Sequence, residues 1–180
     1  MKIEVRLVGE GGQGLILGGL ILAEAAIRDG KNVAHTQTYG AAARGEISKS
    51  DVIISDETIY YPKVRQADIL LALTQEAYDR YTKYLKEGAI IVVDEFYVKR
   101  YDKEKKVYAL PLSDTAIKET GKVITVNMVS LGVISELTGV VSKESLKEAM
   151  LARIPKGTEE INLKALEAGF EMGRKAKEKG

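Results

Sequence analysis

An α/β fold with a largely parallel sheet flanked by helices is what this chain of 180 residues predicts. Three observations carry that expectation. Strand-like and helix-like segments alternate along most of the sequence. The central strand candidates, "ADILLAL" and "AIIVVDE", are almost continuously apolar, as strands covered on both faces are. The first strand candidate runs through a glycine-rich turn, "GEGGQG", straight into a helix.

Taken in order, Ile3, Val5 and Leu7 alternate with Lys2, Glu4 and Arg6, which predicts a strand over 2–9. Helical periodicity follows from about 13 to 29 and closes at "RDG", with Gly30 as C-cap. "KNVAHTQTYG" and the β-branched "SKSDVIISD" predict the second and third strands. "ADILLAL" is the fourth, "TQEAYDRYTKYLKEG" a helix capped by Thr74, "AIIVVDE" the fifth strand and "KKVYALPL" a sixth. Helices are expected at "SDTAIKETG", "NMVSLGVISELTG" and "SKESLKEAML", the last capped by Ser142. A final helix places Ile161, Leu163, Leu166 and Phe170 on one face. Residues 1–180 therefore read as a single Rossmann-like domain, with C-terminal helices from about 142 onward.

Composition removes several classes of function. A net charge of +1 gives no field that would attract nucleic acid or a membrane surface. With no cysteine and one histidine, His35, the chain offers neither disulfides, cysteine-held iron–sulfur clusters nor a multi-histidine metal site. The N-terminal segment lacks a signal-peptide pattern and "LILGGLILAEAA" is too interrupted to span a bilayer, so a cytoplasmic protein is expected.

The glycine loop is the chief candidate site. A strand, a tight turn and a helix N-terminus leave backbone N–H groups unpaired and directed at an anion, and glycine allows close approach. Gly9, Gly11 and Gly14 match a dinucleotide fingerprint, and Gly9 with Gly14 also match the spacing of a P-loop. Leu15 and Ile16 stand where a P-loop needs lysine and a hydroxyl, which argues against nucleotide hydrolysis. "VAHTQTYGAAA" holds no acid to clamp an NAD ribose, which demotes the stand-alone NAD(P)-type oxidoreductase reading. Phosphate contact at Gly11, Gly12, Gln13 and Gly14 and simple helix packing both remain open.

Other residues carry weaker signals. Arg44, in "TYGAAARGE", falls near the same end of the sheet and suits either an anion, a partner surface or a plain turn. Asn127 is best placed to cap its helix, and a helix start beside a cleft also suits ligand contact. His35 reads as a packed, hydrogen-bonded residue. Tyr78, Tyr81 and Tyr84 read as a stripe at the core edge or facing a partner, with Glu76 and Asp79 solvated. No nucleophile–base constellation can be assembled.

The ordered set "GEGGQG", "YGAAARGEISKSDVIISD", "YYPKVRQADILLAL" and "NMVSLGVISELTG" resembles the gamma subunit of the 2-oxoacid:ferredoxin oxidoreductases, over residues 2 to about 173 and most closely the 2-oxoglutarate branch. One departure is Glu46 after Gly45, where the family commonly carries a second glycine. The resemblance implies one subunit of a complex that oxidatively decarboxylates a 2-oxoacid with coenzyme A, giving acyl-CoA, carbon dioxide and reduced ferredoxin. It implies thiamine diphosphate on alpha and beta subunits, and iron–sulfur clusters on beta or on a ferredoxin-like delta subunit. This chain is then expected to supply architecture and coenzyme A contacts at Gly11, Gly12, Gln13, Gly14, Arg44 and Asn127, and to be inactive alone. A purely structural scaffold is the other alternative.

Overall fold

The computed structural model describes residues 1–38 and 46–180. Six strands form one sheet in the order β2-β3-β1-β4-β5-β6. They are β1 (Lys2–Glu10), β2 (Asn32–Thr38), β3 (Ile47–Ser55), β4 (Ala67–Ala72), β5 (Leu85–Asp94) and β6 (Lys106–Leu110). β1, β4, β5 and β6 pair in parallel, whereas β3 runs antiparallel to both β1 and β2. The α/β expectation is met, with one antiparallel strand inserted between β1 and β2.

The helices are α1 (Leu15–Arg28), α2 (Gln75–Tyr81), α3 (Leu112–Thr120), α4 (Val126–Thr138), α5 (Lys143–Arg153) and α6 (Glu159–Lys179). The pleat sends Val5 and Leu7 of β1 to one face, with Ile54, Ile69, Leu71 and Val92, where α1 and α3 to α6 bury their apolar sides. Val8, Leu70, Ala72, Ile91 and Val93 face the other way, onto α2 and Val98. On that second face Arg6 and Asp51, both about 95% buried, form a bidentate pair at 2.9 and 3.0 Å, and Arg6 also donates to the Val64 carbonyl at 2.8 Å. Such a pair is costly to break from one side, because the partner charge stays buried.

Three expectations need correction. The helix over 74–88 stops at Tyr81: the Tyr84 carbonyl accepts from Ala67 N at 2.9 Å and Leu85 pairs with Ala67, so "LKEG" joins β5. Sheet pairing outweighs the helical pattern there. The buried face of α6 is Asn162, Ala165, Leu166, Gly169, Phe170, Gly173 and Ala176, while Ile161 and Leu163 are only partly covered. α4 crosses it at backbone contact, and a Cβ on Gly132 would lie 2.5 Å from the Leu166 carbonyl oxygen and 2.9 Å from the Gly169 Cα. Small residues, not the largest apolar ones, define that seam. Asn127 lies inside α4, whose N-cap is Thr125, and so is not the cap.

The caps at Thr74 and Ser142 form as expected, accepting from Ala77 N at 3.1 Å and Ser145 N at 3.2 Å. Gly30, at φ 83°, follows the Asp29 C-cap of α1. Among the described residues no helix is long and apolar enough to cross a membrane.

Candidate functional site

At the carboxyl end of β1 the chain turns through residues 10–14 and enters α1. Gly14 is the N-cap of that helix at φ 72°, a left-handed conformation that disfavours any side chain. The loop is set by two side-chain amides. Gln13 folds back so that its Oε1 accepts from Glu10 N at 2.7 Å. Asn127, 5% exposed, donates its Nδ2 to the Gly14 carbonyl at 3.1 Å and accepts from Met128 N at 2.8 Å. A Cβ on Gly14 would collide with that same Nδ2. Asn127 thus joins the starts of α1 and α4 across 113 residues of sequence.

The outer side of the loop is open. Gly11 and Gly12 are exposed, and a Cβ built on either meets nothing within 4 Å. α1 has no side-chain cap hydrogen bond and no acidic residue in its first turn. Its first amides have no intrahelical acceptor, and the helix dipole places partial positive charge at that point. The loop is therefore rigid from within and suited to an anion from without. Gln13 spends its oxygen on Glu10 N and Asn127 spends its Nδ2 on the Gly14 carbonyl, so among the described residues the unpaired backbone N–H groups at the start of α1 are the donors left for a ligand.

The Arg44 expectation lies outside the described residues. The segments flanking it do reach this end of the sheet: Thr38 pairs with Lys49 at the end of β2, and Gly11 N donates to the Glu46 carbonyl at 3.3 Å. Lined by Leu17, Ile124, Asn127, Ile154 and Ile161 among others, a mainly apolar cavity of about 220 Å³ adjoins the loop through Asn127.

Among the described residues no acid–base centre accompanies the loop. His35 Nε2 is 2.8 Å from Ser50 Oγ, and burial lowers its pKa against the opposing pull of Asp51, so the imidazole is held neutral and packed. Tyr78 is buried, with its hydroxyl accepting from Asp102 N at 2.8 Å, while Tyr84 is exposed. Glu76 and Asp79 are solvated and paired with Arg80 and Arg100. Among the described residues no group of three or more His, Cys, Asp or Glu could hold a metal ion.

Sequence reasoning missed the connection after β5. Asp94, fully buried, accepts from Phe96 N at 3.2 Å, from Ser113 N at 3.3 Å and from Ser113 Oγ. Burial raises its pKa, and the hydrogen bonds from Ser113 and Phe96 only partly oppose this. The signal was an acid ending an otherwise apolar strand in "IIVVDEF", where an Asx-type turn is favoured.

Comparison with known proteins agrees with this architecture. Residues 4–172 match the sequence model of the pyruvate ferredoxin/flavodoxin oxidoreductase family. The chain is 47% identical to the 2-oxoglutarate synthase subunit KorC of Methanocaldococcus jannaschii, over 97% of this chain and 95% of that one. It superposes on the crystal structure of a keto/oxoacid ferredoxin oxidoreductase gamma subunit from Geobacter sulfurreducens with a TM-score of 0.85 and 47% identity, covering 95% and 98% of the two chains. It also superposes on the 2-oxoglutarate:ferredoxin oxidoreductase of Magnetococcus marinus, solved with 2-oxoglutarate, coenzyme A and succinyl-CoA bound. There the TM-score is 0.84 at 28% identity, over 97% of this chain but 31% of the longer one.

Proposed function

Because the chain belongs to the pyruvate ferredoxin/flavodoxin oxidoreductase family, as a gamma subunit of a 2-oxoacid:ferredoxin oxidoreductase, we propose that its glycine loop receives the phosphates of coenzyme A for the catalytic subunits. The observation that carries this reading is the uncapped α1 N-terminus, with open space where a side chain on Gly11 or Gly12 would stand. Coenzyme A fits the chemistry, since its pyrophosphate matches a cradle of backbone donors without a lysine or a magnesium-binding hydroxyl.

The remaining chemistry belongs to partners on this reading. Thiamine diphosphate supplies carbanion stabilisation and iron–sulfur clusters carry electrons to ferredoxin, on alpha, beta or delta subunits. This chain has no cysteine for a cluster. Its own residues bind and orient: the loop fixes the phosphate end, and Gln13 and Asn127 hold the loop's shape.

The test is Gly11→Leu in the assembled complex. Gly11 has open space and an ordinary φ, unlike Gly12 at φ 87°, so the substitution fills the ligand side without straining the backbone. Losing charge-assisted contacts worth about 1.5–3 kcal/mol should raise the apparent KM for coenzyme A roughly ten- to a hundredfold. The KM for the oxoacid should stay the same. An unchanged coenzyme A requirement in a properly assembled complex leaves the loop with a packing role alone.

A further inference from the structure

The β5–β6 connection leaves β5 at the carboxyl end of the sheet, two strands along from the glycine loop. Phe96 and Tyr97 are 52% and 46% exposed there, packed edge to face with ring centroids 4.8 Å apart. Exposed aromatics in a loose loop would mean little, but this loop is held on both sides. Asp94 accepts from Phe96 N, the Asp94 carbonyl accepts from Tyr97 N at 3.1 Å and Val98 N at 2.9 Å, and Val98 is buried. Beyond it, Gln75 at the start of α2 accepts from Lys99 N at 2.8 Å and Arg100 N at 3.0 Å, and donates to the Arg100 carbonyl at 2.8 Å. Two large rings are thus presented on a preorganised turn, so little conformational entropy remains to be lost when they are covered.

We propose that this aromatic knuckle is an interface hot spot, and that its occupant is the larger catalytic chain of the same complex. The partner is argued from the Magnetococcus enzyme, in which a domain like this one makes up 31% of a longer polypeptide. The rest of such a chain is a body more than twice the size of this domain, covalently tied to it. In the Methanocaldococcus subunit, 95% of which this chain covers, no such body is attached, and on the gamma-subunit reading it is a separate protein held by surface contacts. The face follows from the site: this inference rests on the coenzyme A reading, because a ligand held at the carboxyl end can reach a partner's active site only if the partner covers that end. Aromatic anchors on a rigid support are what such interfaces concentrate their binding energy in.

The experiment measures association of this full chain with the larger subunit from the same source, without coenzyme A. The double variant Phe96→Ser, Tyr97→Ser should weaken the Kd about thirtyfold or more, at an unchanged melting temperature. Tyr60→Ser, at a side chain 91% exposed on the segment between β3 and β4, should leave the Kd unchanged. Equal affinity of the double variant and the unaltered chain overturns the proposal. So does self-association of the chain that the double variant abolishes, since the occupant is then a second copy. Gly11→Leu should change the coenzyme A requirement without changing this Kd, which separates failure of the hot spot from failure of the ligand reading.

Discussion

Among the described residues, the side chains that fix the glycine loop at the carboxyl end of the sheet are two uncharged amides, Gln13 and Asn127. At the amino end that part is taken by full charges. Lys86 at the start of β5 lies 2.8 Å from Glu4 and 3.0 Å from Asp68, and Asp68 also accepts from Glu4 N at 2.7 Å. Lys31 and the N-terminal amine both meet Asp56, while Asp29 accepts from Ser142 N, Ser142 Oγ and Ser145 Oγ at 2.6 to 2.7 Å. One end fixes a loop with uncharged groups and leaves the first amides of α1 without an intrahelical acceptor. The other spends its charges on internal closure. On the reading proposed above, the difference teaches that a site for an anion need not be the most charged part of a protein, because dipoles aligned by the fold take the place of a lysine.

The largest expected effect lies at the uncharged end. Gly14→Val places a β-branched side chain at φ 72° and drives its Cβ into Asn127. Backbone strain of about 1–3 kcal/mol and a similar overpacking term together should destabilise the chain by roughly 3 kcal/mol or more in urea unfolding. The loss should be independent of salt. A mild loss would mean that the loop is softer than its hydrogen bonds indicate.

Lys86→Met should act at the charged end with a smaller effect. Lys86 is about a third exposed, so solvent screens its pairs, but Glu4 is 8% exposed and is left with a buried charge; a cost of about 1–2 kcal/mol is expected. Here salt should matter: the gap between variant and unaltered chain should narrow as sodium chloride rises from low ionic strength to about 1 M. A gap that persists at high salt would show that Lys86 contributes packing rather than charge.

The smallest effect is in acid. Burial pushes the Asp29 pKa up, but the hydrogen bonds from Ser145 and Ser142, with help from Lys31, outweigh it and hold the carboxyl below its ordinary value. A folded-state pKa below the unfolded one contributes stability that is complete above the unfolded value, near 3.9, and is lost as pH falls through the folded one. Urea midpoints should therefore drop below about pH 4, and Asp29→Ala should lower the neutral-pH midpoint while flattening that acid limb. An identical acid limb in the variant would assign the drop to other carboxylates, Asp56 among them, whose pKa is lowered chiefly by its hydrogen bond with Lys31.

Much of this arrangement is legible in the sequence where local chemistry decides. Alternation in "KIEVRLV", the β-branched run in β3 and the caps at Thr74 and Ser142 each specify their own element. What was not legible depends on partners distant in the chain. "LKEG" is pulled from helix to strand by Ala67, a residue some twenty positions earlier. Gly132 and Gly169 define the α4–α6 seam only because the two backbones meet, and no periodicity of large apolar residues announces that. The glycine loop was visible as a motif, whereas the role of Asn127 depends on a carbonyl 113 residues away. A capping preference and a long-range clamp use the same amide, and sequence alone does not separate them.

That clamp has a consequence for timing. Asn127 is held in place by α4, and α4 is buttressed by α6 through glycines at backbone contact. α6 leaves the ribosome after every other element described. The strand and helix that bracket "GEGGQG" are synthesised before α4, so the bond from Asn127 to Gly14 can form only after α4 has followed them. A growing chain thus carries the motif more than a hundred residues before it carries the side chain that clamps it.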